Sequence, residues 1–119
     1  MIEQLFVYGT LAPGRANAHQ LAELKGTWTP ATIRGYLYPN GWGAAMGFPA
    51  VIPDDDGDLI KGFIFKSEDL EQHWQRLDEF EGEGYQRVMV TAEFDDATPT
   101  QAYVYALNPD ELKQVQPAM

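Results

Sequence analysis

One glutamate stands where an apolar side chain is due. In the segment that opens at Ser67, Leu70, Trp74 and Leu77 are spaced by four and three, and a further step of four reaches Glu81. That spacing defines one face of a helix. A helix continued that far turns Glu81 toward the interior. A carboxylate held away from water must be paired, hydrogen-bonded or protonated, and desolvation raises its pKa. A Glu lifted to ~6–7 accepts and returns a proton near neutrality, which is general acid–base chemistry. The plainer reading makes Glu81 the first residue beyond the helix, part of a solvated acidic surface with Asp78, Glu79 and Glu83. Periodicity leaves both readings open.

Three other positions carry potential chemistry. Arg87 follows Tyr85 by two residues, on the same face of a strand pattern. It is placed either to grip a substrate carboxylate bidentately or to pair with a nearby acid. Tyr85 either donates a hydrogen bond or packs. Tyr8-Gly9-Thr10-Leu11 follows a buried-looking strand. Backbone amides in such a loop converge on a carboxylate or an oxyanion, or the loop is only a tight turn. It lacks the glycine spacing of a dinucleotide site and the Gly-Lys-Ser/Thr of a phosphate loop.

Other chemistries find little support. There is no Cys, so disulfides, thiol nucleophiles and thiolate metal sites are excluded. No Ser sits in a Gly-x-Ser-x-Gly elbow. His19 and His73 belong to no short metal-binding spacing. Asp54, Asp55, Asp56 and Asp58 lack the terminal Glu of a calcium loop and read as a solvated turn. No metal is expected. The net charge of −10 is split as −3 over residues 1–60 and −7 over the rest. Such a surface repels nucleic acid and anionic membranes, while a small substrate could still enter a pocket of local sign.

The elements that must position these residues are short. Strands are expected at Leu5–Tyr8, Thr32–Tyr38, Phe48–Ile52 as an edge, Leu59–Lys66, Tyr85–Phe94 and Gln101–Leu107. The clearest helix is the one capped by Ser67; a second is expected over Asn17–Leu24, capped by Asn17. In Thr32–Tyr38, Ile33, Gly35 and Leu37 share one face. Gly41–Gly47 reads as an irregular loop, and the tail from Asn108 holds at most a helical turn. The 119 residues, 45% of them hydrophobic, suffice for one core, so residues 1–119 are expected to form a single domain. The order of elements is not a strict alternation. It predicts an α+β fold with a curved mixed sheet of about six strands and two or more short helices. The N-terminus shows no secretory signal, no segment is long and apolar enough for a membrane helix, and the cytoplasm is the expected compartment.

Three pieces taken together resemble the gamma-glutamylcyclotransferase-like family, in particular its small bacterial-type members. They are Val7-Tyr8-Gly9-Thr10-Leu11, Gly35-Tyr36-Leu37-Tyr38-Pro39, and Leu77-Asp78-Glu79-Phe80-Glu81-Gly82 followed by Tyr85-Gln86-Arg87. The resemblance implies a barrel-like sheet with a cavity at its mouth. It implies that Tyr8, Gly9, Thr10 and Leu11 hold a gamma-glutamyl group and that Glu81 is the acid/base. Tyr85 matches a pocket tyrosine, and Arg87 the arginine that closes the motif. The implied reaction releases 5-oxoproline and an amine from a small gamma-glutamyl substrate, with no metal or organic cofactor. A non-enzymatic module holding a small carboxylated metabolite or a peptide end is the alternative. The sequence leaves the oligomeric state open.

Overall fold

The structure, a computed structural model, describes residues 3–8, 21, 24–38, 50–81 and 84–107, the side chains of Tyr38 and Glu81 excepted. Its elements are β1 (Gln4–Val7), β2 (Thr27–Tyr38), β3 (Ala50–Pro53), β4 (Asp58–Lys66), α1 (Leu70–Glu81), β5 (Tyr85–Phe94) and β6 (Pro99–Leu107).

Five strands close a circuit. β1 pairs antiparallel with β4, β4 with β2, β2 with β5, and β5 with β6. A short parallel contact, Leu5 opposite Tyr103 and Phe6 opposite Val104, returns β6 to β1. The sixth strand, β3, lies antiparallel to β2 over Gly35–Tyr38 and touches β6 at Val51 opposite Ala106. The molecule is thus α+β, as its element order predicts, and its sheet forms the small barrel that the resemblance implies, with one added strand.

Alternation along the strands sorts the apolar residues into two cores. Phe6, Ile33, Ile60, Ile64, Ala92, Ala102 and Val104 fill the barrel. Leu5, Val7, Phe65 and Tyr105 point the other way, against Leu70, Trp74 and Leu77 of α1. Burying each large apolar side chain of that helix face contributes about 1.5–3 kcal/mol before entropy is charged against it. Gly62 breaks the apolar run of β4 for a steric reason. A Cβ there would lie 2.7 Å from Cζ of Phe6 and 2.5 Å from the carbonyl oxygen of Val7. The missing side chain lets β1 lie close and leaves room for the Phe6 ring.

Ser67 starts α1 as the sequence predicts. Its Oγ accepts from the Asp69 amide at 3.1 Å and donates to the Lys25 carbonyl at 2.5 Å. The Ser67 amide donates to the Glu3 carbonyl at 3.0 Å. One buried serine therefore caps the helix and ties it to β1 and to the chain leading into β2.

Several boundaries differ from expectation. β2 begins at Thr27, not Thr32, despite Pro30. Pro30 pairs only with Phe63 of β4, and the contact with β5 starts one residue later, at Ala31. A proline is tolerated where one side of a strand needs no donor. β3 is Ala50–Pro53 and, touching both β2 and β6, is not a simple edge. The inward face of β2 runs through Ala31, Ile33 and Gly35 and then stops. Tyr36 and Leu37 are both exposed, because there β2 has left the barrel and pairs with β3. Only one complete helix is present among the described residues, against two or more expected. The predicted Asn17–Leu24 helix lies outside them apart from Leu21 and Leu24, which are buried beside α1. Gly41–Gly47 and the tail from Asn108 also lie outside them. Among the described residues no helix is long and apolar enough to cross a membrane.

Candidate functional site

The elements bearing the predicted site residues meet at one end of the barrel. The register sets Tyr85 opposite Leu107 and Arg87 opposite Tyr105, so the start of β5 lies beside the end of β6. β3 reaches the same end through Val51 and Ala106. β1 arrives from the other side and delivers Tyr8. α1 ends there at Glu81, with only three residues between it and the start of β5 at Tyr85.

Tyr8 follows the inward parity of Phe6, and the two rings stack with centroids 6.3 Å apart. Its hydroxyl donates to the Tyr105 carbonyl at 2.5 Å and accepts from the Val51 amide at 3.1 Å. One phenol thus joins β1, β3 and β6 at the start of the predicted loop. Gly9, Thr10 and Leu11 lie outside the described residues. Tyr85 is half-buried, packed against Ala50 and Leu107 on one side and the helix-face core on the other. Glu81 closes α1, one helical turn beyond Leu77 and Asp78, and its side chain lies outside the described residues. Of the two readings of this position, the helix that continues to residue 81 is the one present in the backbone.

Arg87 makes a side-on fork with Asp78. Nε donates to Oδ1 at 2.9 Å and Nη2 to Oδ2 at 3.3 Å. The guanidinium carbon also lies 4.5 Å from the Trp74 ring centroid and 4.6 Å from that of Tyr103. These rings meet edge to face at 5.2 Å, so the cation nests in the angle between them. Partial burial, the largest single influence, pulls the Arg87 pKa down. The hydrogen bond and charge of Asp78, with Tyr105 and Tyr103, together outweigh it and hold the pKa above the ordinary arginine value. Tyr105 completes the cluster, its hydroxyl donating to Oδ1 of Asp78 at 2.7 Å.

Asp78, Tyr103 and Tyr105 are the members that sequence reasoning did not select. Asp78 reads locally as one more acid on an acidic helix. Only the tertiary register, which sets Arg87 beside Tyr105, reveals its partners. His73 lies on the helix surface, its Nδ1 accepting from Nε of Arg76 at 3.2 Å. Among the described residues no group of three or more His, Cys, Asp or Glu could hold a metal. A separate groove of ≈ 490 Å³ runs between β2 and β5, lined by Thr32, Arg34, Leu59, Met89 and Thr91 among others. Its described lining includes none of Tyr8, Tyr85 and Arg87.

The model of the family described as gamma-glutamyl cyclotransferase, AIG2-like, matches residues 5–118. YkqA of Bacillus subtilis is 33% identical over 106 residues, which are 89% of this chain and 35% of that protein. The chain thus spans about a third of YkqA's length. The crystal structure of YkqA superposes with a TM-score of 0.67 at 31% identity, over 91% of this chain and 36% of that one. An AIG2-like protein from mouse gives 0.68 at 23% identity, over 98% and 84% of the two chains. A solved gamma-glutamyl cyclotransferase gives 0.64 at 15% identity, over 88% and 66%. The last two share the fold.

Proposed function

The chain belongs to the gamma-glutamyl cyclotransferase, AIG2-like family, and from that premise we propose that it converts a gamma-glutamyl amine or gamma-glutamyl dipeptide into 5-oxoproline and the free amine, with Glu81 as general acid/base. The observation that supports this most is the meeting of three elements at one end of the barrel. Tyr8 opens the loop, Glu81 ends α1, and Tyr85 begins β5. Hydrogen bonds running from Tyr8 through Tyr105 to Asp78 connect the loop side to the helix side.

The proposed chemistry is an internal acyl transfer. Glu81 takes a proton from the alpha-ammonium of the substrate. The freed nitrogen attacks the gamma-carbonyl carbon and closes a five-membered ring. The loop at Gly9, Thr10 and Leu11 holds the glutamyl group and offers amide donors to the oxyanion. When the tetrahedral centre collapses, the bond to the leaving nitrogen breaks and Glu81 returns its proton to that nitrogen. Glu81 then takes the extra proton still on the ring nitrogen and passes it to the released amine, which departs as ammonium. No water is consumed. Nucleophile and electrophile belong to one molecule, so the protein chiefly selects the cyclising conformer and relays protons from the alpha-nitrogen to the leaving nitrogen. Tyr85 is assigned to the wall of the pocket.

The test is a panel of gamma-glutamyl amines and dipeptides, each paired with its N-acetylated counterpart, with 5-oxoproline and glutamate both measured. The expected result is 5-oxoproline from at least one free-amine substrate and none from its N-acetyl form, which has no nucleophile. Glutamate in place of 5-oxoproline would mean hydrolysis and overturn the mechanism. Saturable binding with no product across the panel would favour the non-enzymatic binding module.

A further inference from the structure

Arg87 was a candidate for gripping the substrate, but its side-on fork is already engaged. Nε and Nη2 donate to the two oxygens of Asp78, and the rings of Trp74 and Tyr103 lie against the guanidinium group. The position of this pair along the chain matters more than its strength. Asp78 lies three residues before Glu81 in α1, and Arg87 lies six residues after it in β5. The pair therefore closes residues 78–87 into a short loop that contains Glu81. A half-exposed ion pair contributes little to global stability: the side chains of Arg87 and Asp78 are 23% and 43% accessible. It can still fix the local path of a segment that turns from helix to strand in three residues. The same aspartate accepts from Tyr105, whose carbonyl accepts from Tyr8. The pair is thus coupled to the residue that starts the glycine loop.

We propose that Asp78 and Arg87 form a latch that positions the segment bearing Glu81 against the Tyr8 side of the pocket, and that Arg87 acts through this segment rather than by binding the substrate carboxylate. The kinetic part rests on the function proposed above; the structural part does not. Asp78 is then a positioning residue, and so is Arg87.

Two measurements on the intact chain separate these parts. The first needs no turnover. In Asp78→Asn and in Arg87→Lys, amide hydrogen exchange read by NMR is expected to accelerate roughly tenfold or more over residues 79–86, with the barrel strands unchanged. Unchanged exchange over 79–86 in both variants would overturn the latch, whether or not the parent is an enzyme. The second uses a substrate from the panel and its alpha-carboxamide analogue. A latch predicts that kcat falls about 10- to 100-fold in both variants while KM moves by less than about threefold. It also predicts that the preference for carboxylate over carboxamide is retained. A raised KM with that preference lost in Arg87→Lys, and near-parent kinetics in Asp78→Asn, would instead make Arg87 a substrate-binding residue. If no panel member reacts, the proposed function fails and the exchange data alone decide the latch.

Discussion

Glu81→Gln is expected to lower 5-oxoproline release by about a thousandfold, within the range that positioned acid–base groups contribute. Glutamine keeps the size and polarity of the side chain but cannot take a proton from an ammonium group. KM is expected to stay within about threefold of the parent, since the proton shuttle acts on the reacting centre rather than on the bound ground state. The sign of the pH dependence follows. The base works only when deprotonated, so kcat/KM of the parent declines as pH falls through the pKa of Glu81, and the Gln variant loses that limb. Position 81 ends the helix, so the exchange leaves the apolar stripe of Leu70, Trp74 and Leu77 intact, and the urea midpoint is expected to match the parent's. Product release assayed by chromatography gives the rate. A Gln variant retaining more than about a tenth of the parent rate would remove Glu81 from the mechanism.

The largest effect on stability is expected from Phe6→Ala, at about 3–5 kcal/mol. Phe6 is 1% exposed and sits among Ile33, Val51, Ile60, Ile64 and Val104 inside the barrel. Its surroundings are strand backbones from several directions, including Gly62 and the short parallel contact with β6, so they collapse poorly into the vacated space. An ordinary domain has only ~5–15 kcal/mol to lose. The loss reaches the site as well, because the Tyr8 ring stacks on Phe6. The expected result is a large fall in urea midpoint with the m-value preserved, together with reduced turnover in whatever fraction stays folded. A loss below about 1 kcal/mol would show that Phe6 is not central to the core as described.

The division between what the sequence reveals and what it hides follows the range of the interactions. The α1 stripe and its Ser67 cap are local patterns, and both were legible. So was β5, whose predicted span Tyr85–Phe94 is the observed one. The first five residues of β2 were obscured by Pro30, since the side of the strand that lacks a partner there is decided by tertiary pairing. Leu37 followed the alternation and is nevertheless exposed, because the strand has by then run past the barrel. In sequence, Glu81 stood out as a carboxylate in step with an apolar helix stripe, and α1 extends to that position. Asp78 did not, since its value depends on Arg87 and Tyr105, which adjoin it only through the β5–β6 register. The two tyrosines of β6 likewise look interchangeable in sequence. In the structure Tyr103 packs on Arg87 and Tyr105 links Asp78 to Tyr8.

The groove between β2 and β5 supplies a second place where a small molecule could lodge, and its described lining includes neither Tyr8 nor Tyr85. Titrating the ¹⁵N-labelled protein with 5-oxoproline therefore asks directly where the product binds. The predicted result is a saturable shift of the amides at residues 8–11 and 81–85, with those of Thr32, Arg34 and Met89 unmoved. Saturable shifts confined to Thr32, Arg34, Met89 and Thr91, with residues 8–11 and 81–85 silent, would contradict the assignment of the pocket to the Tyr8–Glu81 end of the barrel.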